Sequence, residues 1–230
     1  RPEEGVALLQ QALAVLPGHP HYLLNLGQAQ VQLGLLDDAI NNFISALNIQ
    51  PDSAVTHFNL ANCYKQQTQL DRACRHYEIA LTLDSSKEKY FYNYANALQA
   101  AGRFKTAIEF YQKALAINPE NASAHNNIGI VLGKWERFDE AEQQYLKAIE
   151  LRPDFTDALI NLSQHYESDG DIQKARELLQ GLSKVQADNI HIDLKKSLIL
   201  PLIAQSEEEI SSSVSSLEAQ ISRIAPASLN

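Results

Sequence analysis

The sequence predicts an all-α solenoid of helix-turn-helix repeats, because several residue types recur along the chain with a constant 34-residue period. The clearest series is an asparagine at the same place in five successive units: Asn25, Asn59, Asn93, Asn127 and Asn161. Each asparagine is followed by an alanine at a constant spacing, which is the spacing from Asn25 to Ala39. In four units an aromatic residue stands one helical turn after that alanine. A fixed period of this length indicates one structural unit stacked along the chain.

The residues around each asparagine resemble the tetratricopeptide repeat. First-helix stretches read LLNLGQAQ, HFNLANCY, FYNYANAL, HNNIGIVL and LINLSQHY, and second-helix stretches such as KTAIEFYQKALAINP carry the later alanine, aromatic and proline positions. The resemblance implies a right-handed superhelix in which first helices line the concave face. Because a solenoid needs its ends covered, we also expect C-terminal helices that cap the last repeat.

The repeat register sets the predicted boundaries. They are 1–19 for the second helix of a truncated repeat, 20–53, 54–87, 88–121, 122–155 and 156–189 for five repeats of which the last is degenerate, and 190–230 for C-terminal capping or linker helices. Because Arg1 falls in the middle of a repeat, we expect the chain to be a fragment of a longer protein.

Small and aromatic residues predict how the two helices of a repeat pack. The small residues on first helices, expected to allow close helix approach, are Gly27, Ala61, Ala95 and Gly129. The aromatic residues on second helices, expected to fill the space between repeats, are Phe43, Tyr77, Tyr111 and Tyr145. The alanines at the start of second helices mark a crowded crossing, where a bulky residue should cost about 1–3 kcal/mol; they are Ala39, Ala73, Ala107, Ala141 and Ala175.

Turn residues predict where the helices begin and end. Gly34, Gly102 and Gly170 stand where a first helix should end in a left-handed residue. Prolines that cannot continue a helix close three repeats, at Pro51, Pro119 and Pro153. Aspartates that could accept hydrogen bonds from the free amides of a second helix are Asp37, Asp71 and Asp139.

The asparagine series ends after residue 189, where Lys195 stands in place of the next asparagine. Beyond Pro201, Ser206 and Glu209 form a capping box. An apolar seam at helical spacing follows, formed by Ile210, Val214, Leu217, Ile221 and Ile224. It either covers the end of the last repeat or forms an interface with a partner helix or a second copy. The segment LPLIAQSEEEISSSVSSLEAQI also resembles the join to the catalytic region in Spindly-type glycosyltransferases.

The composition of the chain argues against several classes of function. A net charge of −9 argues against nucleic-acid binding, and the absence of an apolar run of about 18 residues argues against a membrane span. Cys63 and Cys74 are interpreted as reduced, packed thiols of a cytoplasmic protein.

No metal-ligand spacing, phosphate loop or nucleophile motif appears in the sequence, so we expect no cofactor, metal or catalytic residue. His57 and His125, at a large-residue position of the first helix, are interpreted as packing residues.

The asparagine series predicts a binding surface. Each amide offers both donors and an acceptor, so a row of them could hold the main chain of an extended peptide. Residues three or four positions away share the same helix face; with the five asparagines, the expected peptide-binding set includes Gln28, Asn62, Asn96 and Lys89. This arrangement resembles the asparagine-lined repeats of O-linked N-acetylglucosamine transferases. The amides could equally brace neighbouring repeats. A clamp for a C-terminal carboxylate through Lys89 would need basic residues where Leu24 and Asn93 stand.

The sequence therefore favours a non-catalytic module with a protein or peptide partner. By resemblance, it is the substrate-recognition arm of an O-linked glycosyltransferase. The alternative is an assembly scaffold that forms a homo-oligomer through its ends or through the seam of residues 210–224.

Overall fold

The computed structural model describes residues 2–185. The capping helices predicted for residues 190–230, with the capping box and the apolar seam, lie outside the described residues.

Helices joined by short turns make up this part of the chain, and no strand occurs in residues 2–185. The prediction of an all-α fold of helical hairpins is confirmed. The helices are α1 (Pro2–Val15), α2 (Pro20–Gln32), α3 (Leu36–Ile49), α4 (Ala54–Gln66), α5 (Leu70–Leu83), α6 (Glu88–Ala100), α7 (Phe104–Ile117), α8 (Ala122–Lys134), α9 (Phe138–Leu151), α10 (Thr156–Asp169) and α11 (Ile172–Val185). The repeat boundaries remain a prediction.

The chain forms two compact units that divide between Ala124 and His125. In the first unit α2 packs on α3, α4 on α5 and α6 on α7, while α3 packs on α4 and α5 on α6. The helices α2, α4 and α6 also contact one another in succession. In the second unit α10 packs on both α9 and α11. No helix in the described part of the chain is long and apolar enough to cross a membrane.

Close contact between a small residue and an aromatic ring joins the two helices of a hairpin. A Cβ atom added at Gly27 would lie 2.5–2.9 Å from ring atoms of Phe43, and one at Gly129 would lie 2.7–3.0 Å from ring atoms of Tyr145. The Phe43 side chain is completely buried. The predicted close approach of the paired helices is thus confirmed for these two hairpins.

The alanine at the start of each second helix is fully buried, as the series predicts. Its exposed fraction is 0% at every position: Ala39, Ala73, Ala107, Ala141 and Ala175.

The turn between first and second helices contains a left-handed residue. The predicted glycines have this conformation, with φ of 76° at Gly34, 74° at Gly102 and 83° at Gly170. Two equivalent positions carry other residues, Thr68 with φ of 59° and Glu136 with φ of 58°. Side chains with a Cβ atom are strained in this conformation, by roughly 1–2 kcal/mol.

Replacing Glu136 with glycine is therefore expected to raise the free energy of unfolding by about 0.5–1 kcal/mol, since relief of strain exceeds the entropy that glycine adds to the unfolded chain. Chemical denaturation of both proteins measures the change. Gly102→Ala is the matched control: no atom lies within 4 Å of its added Cβ, so it introduces only the strain and should destabilise. A Glu136→Gly protein less stable than the parent would contradict the prediction.

The predicted role of the aspartates is wrong. The N-cap residues of α3, α5 and α9 are Leu35, Gln69 and Arg137, and none forms a side-chain cap. The aspartates lie inside the first turn, where the helix dipole favours them without a hydrogen bond to the free amides. The side chain of Asp37 accepts from Gln67 Nε2 at 2.7 Å, and Asp71 accepts from Arg103 Nη2 at 2.8 Å. These two carboxylates therefore link hairpins that are successive in the chain.

Candidate functional site

A groove of about 450 Å³ lies against the first helices of the first unit. We call it the amide groove, because six of its nine described lining residues are amides. The lining consists of Gln28, Val31, Gln32, Phe43, Asn59, Asn62, Lys65, Gln66 and Asn93. Helices α2, α4 and α6 supply all of it except Phe43. The groove thus gathers four residues of the predicted binding set, which are Gln28, Asn59, Asn62 and Asn93.

Asn59, which lines the amide groove, has an unused hydrogen-bond donor. Its Nδ2 atom is buried and has no hydrogen-bond partner among the described residues. An unsatisfied buried donor costs about 1–3 kcal/mol, which an acceptor on a bound molecule would offset.

The side-chain amide of Asn93 already makes hydrogen bonds within the protein. Its Nδ2 donates to the Lys89 carbonyl at 2.9 Å, one turn earlier in α6, and its Oδ1 accepts from Lys65 Nζ at 3.4 Å. The second contact is long for a hydrogen bond to an ammonium group. The Asn93 amide is therefore oriented by its helix while its oxygen is only weakly bonded.

Tyrosine hydroxyls of the second helices orient two further amides. Tyr77 donates to Asn62 Oδ1 at 2.5 Å, and the Tyr111 hydroxyl lies 2.6 Å from both Asn96 Oδ1 and Gln99 Oε1. The Asn62 oxygen accepts this bond and keeps a second lone pair, while its NH2 group supplies two donors. The equivalent of Tyr77 beside Gln28 is Phe43, which has no hydroxyl to donate.

Three predicted residues of the first unit do not line the amide groove. Asn25 is exposed, and Asn96 is half-buried beneath Tyr111. The ammonium group of Lys89 lies 5.4 Å from the centre of the Phe58 ring and 5.7 Å from that of Tyr90. These distances place Lys89 in contact with aromatic faces.

In the second unit the asparagines bond to one another. Asn161 Nδ2 donates to Asn126 Oδ1 at 2.9 Å, and Asn126 Nδ2 donates to Asn127 Oδ1 at 3.3 Å. Asn126 is only 5% exposed. Asn161 also lines a smaller cavity of about 240 Å³ with Gln164 and His165. Amides in this unit therefore form internal hydrogen bonds.

Lys65 is the functional candidate that the periodic pattern did not identify. It is the only charged side chain among the described lining residues of the amide groove, and burial lowers its pKa. A signal was present in the sequence, because the equivalent positions in the other repeats carry Val31, Gln99, Gly133 and Glu167, none of them basic.

His57 is buried at 7% exposure, which agrees with its interpretation as a packing residue. Its Nε2 lies 3.0 Å from the Pro51 carbonyl and its Nδ1 lies 2.9 Å from His76 Nδ1. Since only a ring N–H can bond the carbonyl, His57 donates through Nε2 and accepts from His76 through Nδ1. Burial lowers the pKa of His76 to about 4, with smaller effects of the same sign from His57 and Arg75. His125 Nδ1 bonds to the equivalent position of the following helix in the opposite direction, donating to Gln144 Oε1 at 2.8 Å.

Residues 2–185 contain no group of three or more His, Cys, Asp or Glu side chains that could hold a metal ion. Cys63 and Cys74 are both free and buried, and burial raises the pKa of Cys63 to about 11. Neither thiol is activated as a nucleophile.

Helical hairpins with a 34-residue period, two of them joined by a glycine packed on an aromatic ring, define a tetratricopeptide-repeat protein, a class of protein-interaction module. The chain belongs to the family described as the cilia and flagella-associated protein 70 C-terminal domain, whose sequence model matches residues 3–223. No protein with a curated description matches the chain.

Solved structures share the fold. PilF of Pseudomonas aeruginosa is 21% identical and superposes with a TM-score of 0.72, covering 91% of this chain and 93% of its own. The C-terminal part of a repeat protein from Cytophaga hutchinsonii is 13% identical, with a TM-score of 0.78 and coverage of 95% and 90%. YrrB, described as a TPR protein with an unusual peptide-binding site, is 22% identical, with a TM-score of 0.65 and coverage of 80% and 95%.

Proposed function

We propose that this chain is a non-catalytic interaction module that holds an extended polypeptide in the amide groove. The observation that carries the proposal is the unsatisfied Asn59 Nδ2 in a groove lined mostly by amides. A peptide carbonyl is an acceptor of the required kind. YrrB offers a precedent for peptide binding on the same fold.

The dimensions of the fold suit an extended chain. Packed helices lie roughly 8–10 Å apart, which is close to three residues of extended peptide at about 3.3 Å each. A peptide that crosses α2, α4 and α6 would therefore meet one set of amides about every third residue. Main-chain recognition of this kind makes little demand on most of the peptide's side chains.

The double variant Asn59→Ala/Asn93→Ala tests the proposal. The probe is a library of acetylated and amidated dodecapeptides, enriched on the immobilised protein and then synthesised singly for fluorescence polarisation. We expect at least a tenfold loss of affinity for the enriched peptides, because each lost amide removes main-chain hydrogen bonds. The stability of the variant should fall by no more than about 1 kcal/mol, since Asn59 Nδ2 makes no internal bond and Asn93 loses a bond to a carbonyl of its own helix.

Two control variants separate an effect on peptide binding from an effect on stability. Asn48→Ala changes an exposed asparagine of α3 and should alter neither binding nor stability. Asn161→Ala removes a bond to Asn126 and should cost about 1 kcal/mol of stability while binding is retained. A protein that enriches no peptide, or a double variant that binds normally, would refute peptide binding in this groove.

Two more specific proposals depend on the sequence alone. The first is that the chain is the substrate-recognition arm of an O-linked sugar transferase, because residues 200–221 resemble the join to the catalytic region in Spindly-type glycosyltransferases. This proposal requires a nucleotide-sugar-binding region encoded after Asn230. Self-association rests on the seam of residues 210–224, and it requires that Leu217→Glu/Ile221→Glu lower the mass measured in solution. A cytoplasmic location likewise stays a prediction.

A further inference from the structure

Lys65 lies in the amide groove without a carboxylate partner among the described residues. Its one described polar contact is the 3.4 Å approach to Asn93 Oδ1. Some other cationic side chains of the described residues pair closely with carboxylates, as Arg103 does with Asp71 at 2.8 Å and Lys174 with Asp171 at 3.0 Å. Both of those pairs lie on exposed surface. Lys65 is instead half-buried, and no carboxylate among the described residues balances its charge.

The chemistry of the groove favours an anionic group on the ligand. Lys65 Nζ and Asn59 Nδ2 are both donors that lack a strong acceptor, and no carboxylate occurs among the described lining residues. Burial lowers the pKa of Lys65, which is the expected effect of desolvating an unpaired ammonium. A carboxylate would supply both the missing acceptor and the missing charge, whereas a basic group would add repulsion.

The position of Lys65 distinguishes a side-chain carboxylate from a chain end. Three first helices of repeats line the amide groove, and Lys65 belongs to the middle one, α4, which contacts both α2 and α6. Lining residues from α2 and α6 therefore lie on either side of it. A peptide that continues past Lys65 in both directions can use these amides. A peptide that ended at Lys65 would leave one flank empty.

We propose that the amide groove selects extended segments with an internal Asp or Glu side chain, whose carboxylate binds Lys65 Nζ. This inference rests on the proposed function, because it assigns the specificity of the same groove. It gives the ligand one required acidic residue within a stretch that is otherwise recognised through its main chain.

The test uses the full chain and four peptide libraries, of which three differ at the central residue and the fourth differs at the C-terminus. Three are acetylated and amidated nonapeptides with random flanks and a fixed central Glu, Gln or Lys. The fourth has central Gln and a free C-terminal carboxylate. Fluorescence polarisation of peptides enriched from each library gives the affinities. We expect central Glu to bind about tenfold more tightly than central Gln, with the difference shrinking at high salt, and central Lys to bind most weakly.

Variants at Lys65 assign the preference to this residue. Lys65→Gln should remove the preference for Glu over Gln, and Lys65→Arg should keep it because the charge remains. Lys105→Gln, which removes an exposed lysine from α7, should leave the preference intact. Thermal melts establish that each variant is folded. If Lys65→Gln does not fold, Lys65→Met takes its place, because it keeps an apolar stem of similar length and removes the charge.

The failures of the two proposals can be distinguished. If no library binds, the proposed function fails. If peptides bind but Glu and Gln are equivalent, or if Lys65→Gln keeps the preference, the acidic specificity is overturned while peptide binding stands. If the free C-terminal carboxylate alone gives the gain, the carboxylate comes from a chain end and the internal-residue assignment is overturned.

Discussion

Replacing Tyr111 with alanine is expected to lower the free energy of unfolding by about 3–5 kcal/mol, the range for a buried aromatic residue truncated to alanine. Tyr111 is completely buried on α7, at the position where Phe43 packs on Gly27 in the first repeat. The substitution leaves a cavity between two helices and removes the hydroxyl that bonds Asn96 and Gln99. Urea denaturation followed by helical circular dichroism measures the loss.

Two further substitutions separate the contributions at Tyr111. Tyr111→Phe keeps the ring and removes only the hydroxyl, so it should cost about 1 kcal/mol. Ile117→Ala in the same helix truncates a side chain that is 45% exposed and should cost much less than Tyr111→Ala. A loss below about 1 kcal/mol for Tyr111→Ala would show that the ring is not essential to the contact between the helices.

Stability is expected to fall as the pH decreases from about 6.5 to about 4, through His76. Its pKa is near 4 in the folded protein and near 6.5 in the unfolded chain, because burial disfavours the imidazolium. Well above pH 6.5 the ring is neutral in both states and has no effect. Between the two pKa values the unfolded chain binds the proton more strongly, so unfolding becomes easier. Because the ring is partly exposed to solvent, the total effect is about 1–3 kcal/mol. Denaturation curves at half-unit pH intervals measure the decrease.

His76→Gln is the matched variant, because Gln144 already bonds His125 at the equivalent place in another repeat. A glutamine can still donate to His57 but does not titrate. The difference in unfolding free energy between the parent and the variant should therefore change with pH between 6.5 and 4 and stay constant above 7. A difference that is independent of pH throughout would contradict the assignment to His76.

The packing of the helical hairpins could be predicted from the sequence, because at each of the repeated positions the available space allows only one size of side chain. Only a small residue fits at Gly27 or Ala39, and an aromatic ring fills the space at Phe43. The alanine recurs in all five repeats and the aromatic residue in four, so both requirements are visible in the sequence. Left-handed turns were less predictable: glycine marks three of them, whereas Thr68 and Glu136 adopt the same conformation under strain.

The binding surface was less predictable because identical residues have different surroundings. Asn59 and Asn161 occupy the same place in the period, yet the first has a free buried donor and the second bonds Asn126. The difference comes from a residue outside the series, since Asn126 stands where the other repeats carry Leu24, Phe58, Tyr92 or Ile160. Lys65 was missed for the same reason, as a single departure from the period gives no repeated signal.

The contact between Gly27 and Phe43 has a consequence for recombination between repeats. A chimera in which α4 replaced α2 would bring Ala61 against Phe43, where an added Cβ lies as close as 2.5 Å to the ring. Moving α4 together with α5 would keep Ala61 with Tyr77, its own partner. The hairpin, rather than the single helix, is therefore the smallest piece that can be exchanged, duplicated or deleted without rebuilding its interior.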